Sequence, residues 1–122
     1  MSAELAALAG EEYCYLTTTG RVTGRPHTIE IWFSLQGDTL YLLSGGRDRS
    51  DWVKNVRRTP QVTVRIADSA FPGQARIVED AEEDALARRL LVEKYAPRYS
   101  GDLSGWRRTA LPVAIDIAAS PR

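Results

Sequence analysis

The residues of this chain whose types and spacing could do chemistry lie between positions 20 and 55, and what they offer is anion binding. Gly20-Arg21-Val22-Thr23-Gly24-Arg25-Pro26 sets two guanidinium groups, each directly after a glycine, between two β-type runs. Glycine lets a backbone approach a ligand closely, and the arginine fork matches phosphate. Solvated arginines on a plain polar hairpin would look the same. A second pair, Gly45-Gly46, is followed by Arg47, Arg49 and a helical stretch over residues 51–58 that Ser50 or Asp48 can cap. The first N–H groups of such a helix attract anions. Neither stretch has the glycine and lysine spacing of a Walker loop or a dinucleotide fingerprint. Trp52 falls in the first turn of that helix, where an indole can face a planar ring or the core. Asn55, one turn later, shares its face.

Self-contained catalysis has little to build on. His27 is the only histidine, and no partner for a triad stands at a recognisable spacing. Cys14, the only cysteine, sits mid-strand, where a free thiol behaves as a small hydrophobe. One cysteine and one histidine exclude a structural zinc. The acids of Glu79-Asp80-Ala81-Glu82-Glu83-Asp84 read as the solvated start of a helix. A borrowed cofactor is the better source of chemistry.

The elements that must position these groups are mostly strands. Residues 13–19 are aromatic and β-branched, and residues 27–35 alternate, with His27, Ile29, Ile31, Phe33 and Leu35 on one side. Gln36-Gly37-Asp38 reads as a tight turn before a third strand over residues 39–44. After the short helix, residues 61–66 alternate again, Asp68-Ser69 and Pro72-Gly73 read as turns, and residues 73–79 form a fifth strand. A helix follows to about Tyr95, then a Pro/Gly/Ser loop to Trp106 and a last strand over residues 111–117. Residues 2–9 form a short leading helix stopped by Gly10. Six strands with few helical residues to cover them predict a mainly β protein, a six-stranded antiparallel barrel with α-helices and closed edges.

Composition sets the outer bounds. At 122 residues the chain is expected to be one domain, residues 1–122. Basic and acidic residues number 16 each, so no net field points to nucleic acid or an anionic membrane. No apolar run is long enough to span a bilayer. Glu4 stands where a signal peptide would be basic, and a lone cysteine forms no internal disulfide, so a reducing cytoplasm is expected.

The order strand, TTTGRxTGRP, alternating strand, LYLLSGG, DWxxN-x-R and QVTV resembles the deazaflavin-dependent nitroreductase family, in motif detail from about Tyr13 to Ile66. That family belongs to the split β-barrel superfamily typified by pyridoxamine-phosphate oxidase. The resemblance implies an FMN-binding-type split barrel that takes reduced coenzyme F-420, an 8-hydroxy-5-deazaflavin. It implies hydride transfer to a quinone, nitroaromatic or other small electrophile. Carried over by position, Arg21, Gly24 and Arg25 would hold the cofactor's phosphate and acidic tail, with Pro26, His27 and Thr28 continuing the groove. Ser44, Gly45 and Gly46 would lie toward the ring, Arg49 would add charge for the cofactor, and Trp52 and Asn55 would line the groove. Tyr95 or Tyr99 would cover the substrate and donate a proton, Ser44 standing beside them as a catalytic candidate. An FMN-dependent oxidase or reductase on the same barrel, or a non-catalytic flavin-binding module, is the alternative. The resemblance also implies a groove at a subunit interface, and Trp32 on the polar side of its strand adds to the expectation of a homodimer.

Overall fold

The alternating run after Pro26 is two strands in the computed structural model of the chain, which describes residues 3–118. β1 (Cys14–Thr19) and β2 (Pro26–Ile31) form a hairpin in which Cys14 faces Ile31 and Thr19 faces Pro26. β3 (Ser34–Gln36) pairs instead with β4 (Thr39–Ser44), across a turn where Gly37 has φ +61°. Glycine adopts that left-handed conformation without steric cost. β5 (Gln61–Ile66), β6 (Ser69–Ile77) and β7 (Leu111–Ile117) complete an antiparallel sheet of order β2-β1-β5-β6-β7-β4-β3.

Only Trp32 and Phe33 separate the two edge strands, β2 and β3. The sheet has therefore curled until one stretch of chain supplies both its edges. The result is a strongly curled split barrel, and the split runs beside β2. The expected six strands are seven for this reason alone. Side-chain alternation survives the break: Ile29, Ile31, Phe33 and Leu35 all meet the interior cluster of Leu16, Leu42, Val64 and Ile115, while Trp32 joins the outer one. What changes is the hydrogen-bonding partner, which a period of two does not encode.

The outer cluster lies under α3 (Ala81–Tyr95), which packs Ala87, Leu91 and Tyr95 against Tyr41, Leu43 and Ala114. Asp80 caps the helix by accepting from the Glu83 N–H at 2.9 Å. Its start is tied to the sheet by Arg76, whose guanidinium bridges Glu83 at 2.7 Å and Asp116 at 2.7 Å. The Tyr41 hydroxyl donates to Glu83 at 2.6 Å. Bonds from Arg76 and Tyr41 hold the Glu83 carboxyl down to about 2, and burial pushes the Tyr41 phenol up to about 12.

α2 (Asp51–Arg58) falls where its sequence places it, and α1 covers Ala3–Ala7, its expected start at Ser2 lying outside the described residues. Two local readings are corrected. Pro72 and Gly73 lie inside β6, and the β5–β6 turn is at Ala67-Asp68. The β6–β7 ladder begins only at Gly73 opposite Ile117, so Pro72 sits beyond it, where a missing N–H is tolerated. Gly73 is required by packing, since an added Cβ would stand 2.6 Å from Ile115 Cγ2. The loop before Trp106 contains α4 (Ser104–Thr109), which is preceded by Asp102 accepting from the Ser104 N–H at 2.9 Å and its hydroxyl at 3.1 Å. Pro, Gly and Ser composition hid that helix.

Candidate functional site

The Gly20–Arg25 turn closes on itself. The Gly20 N–H donates to the Arg25 carbonyl at 2.8 Å and the Gly24 N–H to the Gly20 carbonyl at 2.9 Å. Gly24 has φ +77°, so glycine is required there. At Gly20 an added Cβ would stand 2.8 Å from His27 Nε2 and 3.1 Å from the Arg25 carbonyl oxygen. The turn is docked on α2 by Asn55, whose Oδ1 accepts from the Arg21 N–H at 3.1 Å and Arg21 Nη1 at 3.0 Å. Asn55 Nδ2 donates onward to Thr18 Oγ1 at 3.0 Å. Arg21 Nη2 also pairs with Asp51 at 3.1 Å, where the carboxylate is 85% exposed. Such a pair contributes little in water and yields readily to a competing anion. Arg25 is exposed and makes no side-chain ion pair among the described residues.

Between the turn and α2 lies a cleft of about 460 Å³ that brings together Arg21, His27, Thr28, Trp52 and Asn55. Trp52 is half-buried: it packs against the interior cluster and also lines this cleft. Gly24 and Pro26 instead line a separate depression with Gln61 and Pro72.

Five expected positions have other work. Ser44 is buried, and its hydroxyl donates to the Arg47 carbonyl at 2.9 Å. Its proton is thereby used, so Ser50 is the donor in the 2.8 Å contact between the two serine oxygens. Gly45, Gly46 and Arg49 form an exposed loop locked by that contact and by Arg47 Nε donating to the Thr109 carbonyl at 3.1 Å. None of Gly45, Gly46 and Arg49 lines the cleft. Tyr95 is fully buried. Its hydroxyl accepts from the Phe33 N–H at 3.0 Å and shares its one proton between the carbonyls of Glu12 at 2.6 Å and Phe33 at 3.0 Å. Burial pushes its phenol up to about 12. Tyr95 clamps the point where the strand changes partner and presents no hydroxyl to a substrate. Cys14 is likewise buried, its thiol pushed up to about 12 by loss of solvent.

A second cleft, of about 450 Å³, opens farther along β2 and runs from Tyr13, Glu30, Ile31 and Trp32 to Leu43, Tyr99, Asp102, Leu103 and Trp106. Trp32 stacks on Tyr95, centroids 4.2 Å apart, and meets Tyr99 and Trp106 edge-to-face at 5.7 Å and 5.6 Å. The aromatic that suggested a subunit interface is therefore satisfied within its own chain. Tyr99 lines this cleft. Sequence reasoning missed Trp106, Glu30 and Asp102 here and assigned Trp32 to a subunit interface. The only available signal was the density of aromatics around residues 95–106.

The two clefts are successive stations on one edge strand. Gly20 and Arg25 form a bonded pair, and bonded pairs alternate along an antiparallel ladder. Thr28 and Glu30 consequently turn their backbone N–H and C=O groups toward the free edge, into the split.

A family model described as F-420H(2)-dependent quinone reductase matches residues 3–118. The chain belongs to this family. It is a reductase that uses the reduced deazaflavin F-420 to reduce quinones or similar acceptors. Solved structures agree in fold. An F-420-H2-dependent reductase is 21% identical, with 85% of this chain and 93% of that one covered at a TM-score of 0.69. A pyridoxamine 5′-phosphate oxidase-type protein of Listeria innocua is 24% identical, with 95% and 91% covered at 0.69. A domain-swapped dimer is 22% identical, with 85% and 79% covered at 0.70. Among the described residues no helix is long and apolar enough to cross a membrane. The first cleft offers the cofactor's anionic groups Arg21, held only by a weak exposed pair, beside a turn that Gly20 keeps tight against His27; Arg25 stands on the same turn, uncommitted but outside the cleft lining.

Proposed function

We propose that the split beside β2 is where the reduced deazaflavin and its acceptor, a quinone or nitroaromatic, meet. The observation that carries this is the placing of two clefts of unlike chemistry on the same edge strand, one bearing Arg21 and the start of α2 and one aromatic. Arg21, Arg25 and the first N–H groups of α2 hold the phosphate and acidic tail, by charge-assisted bonds. Trp52 and the free-edge groups of Thr28 hold the ring. Bound there, the cofactor supplies a hydride. The chain's part is to fix the two reactants in contact, which contributes on the order of 7–11 kcal/mol. Tyr99, 48% exposed on the aromatic cleft, donates a proton to the acceptor oxygen as negative charge develops.

In this reading the working unit is a homodimer in the cytoplasm, supported by the domain-swapped relative and by a single buried thiol. Oxidation of reduced F-420 by menadione tests the assignment. Tyr99→Phe is expected to lower kcat about tenfold or more with cofactor affinity unchanged. Turnover equal to the parent would refute the role of Tyr99, and no turnover above the protein-free rate would refute the site.

A further inference from the structure

We infer that the aromatic cleft selects planar ligands that carry a positive charge. The inference rests on the reading of this cleft as the acceptor's side. Tyr99 and Trp106 cross Trp32 at 80° and 87°, and Trp32 is fixed from behind by its stack on Tyr95. Tyr13 and Tyr99 keep 39% and 48% of their surface exposed, so ring area is open to a ligand. Aromatic faces are electron-rich and attract cations, most strongly those of tryptophan.

The polar groups point the same way. Glu30 and Asp102 are the charged residues of the lining, and both are acids. Glu30 is oriented by the Tyr15 hydroxyl, which donates to its Oε1 at 3.0 Å. Asp102 is held by Ser104, whose backbone bond keeps its carboxyl below the usual range. The cations of this region, Arg98, Arg107 and Arg108, stand outside the lining. A neutral quinone uses the rings alone, an anion meets two like charges, and a planar cation uses every group present. A hydride added to such a cation forms one C–H bond with both electrons and gives a neutral dihydro product. The cofactor's remaining proton goes to solvent, and the charge that the cleft recognises is gone, which favours product release.

The test needs no cofactor. N-methylquinolinium and neutral 4-methylquinoline are titrated into the protein at neutral pH, followed by calorimetry and tryptophan quenching. The cation is expected to bind about tenfold tighter than its neutral isostere. Glu30→Gln should weaken the cation about three- to tenfold and leave the neutral ligand within about twofold. Trp106→Leu should weaken both. Equal binding of the two ligands, or an unchanged cation affinity in Glu30→Gln, would overturn the inference. Titration of coenzyme F-420 alongside separates the two failures. Loss of charge selectivity with F-420 still binding independently overturns the inference alone. Direct competition between F-420 and the quinolinium overturns the division of the split into cofactor and acceptor sides.

Discussion

Tyr95→Phe separates a structural hydroxyl from a catalytic one. The substitution keeps the ring, so the 4.2 Å stack on Trp32 remains. It removes the acceptor of the Phe33 N–H, in a residue with no exposed surface, and the donor to the Glu12 carbonyl. The Phe33 carbonyl keeps a partner, since Lys94 Nζ donates to it at 3.0 Å. One orphaned buried N–H costs about 1–3 kcal/mol and one lost hydrogen bond about 0.5–1.5 kcal/mol. The expected destabilisation is about 1.5–4.5 kcal/mol, or roughly 6–18 °C in Tm for a domain of this size. Urea melts of parent and variant, fitted with a common slope, measure the first number. Turnover well below Tm should stay within about twofold of the parent, because the hydroxyl faces no cleft. A variant that melts like the parent yet loses turnover would refute the clamp and return Tyr95 to the chemistry.

Two pH predictions follow from the ion network and the buried lysine. Glu83 titrates at about 2 in the folded chain against an ordinary 4.5, so its contribution is complete above about 4.5 and is lost as pH falls toward 2. Glu83→Gln should flatten that stretch of the stability profile and lower stability at neutral pH; an unchanged acid limb would refute the Arg76 bridge. Lys94 is pushed down to about 8 from 10.5, first by burial and then by Arg98. Above its folded value the unfolded chain holds the extra proton, so stability should rise with pH from about 8. Above about 9 the buried Cys14 thiol opposes that rise, since its folded value is the higher one. Lys94→Met should abolish the rise between about pH 8 and 9, and a slope surviving in that variant would refute the assignment.

Most elements were legible because their boundaries are written locally. α2 runs from behind Ser50 to before Pro60, and β4 from Gly37-Asp38 to Gly45. The long helix is announced by the acidic run at 79–84, within which Asp80 accepts from the Glu83 N–H. The split itself was not legible, because the break at Trp32-Phe33 is made by Tyr95, 62 positions away, and leaves the alternation intact. The site divides in the same way. Arg21, Trp52 and Asn55, picked out from local turn and helix chemistry, share one cleft lining. The docking of one on another through the Asn55 amide was not legible, and neither was the aromatic cleft, whose rings come from the residue before β1, the β2–β3 junction, the loop after α3 and α4. Ser44 with Gly45-Gly46 resembled a ligand loop because glycines and hydroxyls serve a locked turn as well as a cofactor.

Equilibrium titration of coenzyme F-420 into the parent, Arg25→Ala and Arg21→Ala tests the central claim most directly. Charge-assisted bonds to phosphate are each worth roughly 1.5–3 kcal/mol, so Arg25→Ala should weaken binding about tenfold or more with melting unchanged. Arg21→Ala should lose affinity and melt lower as well, because its guanidinium also bonds Asn55 and Asp51. Parent-like affinity in both variants would contradict the account and move the cofactor away from this turn.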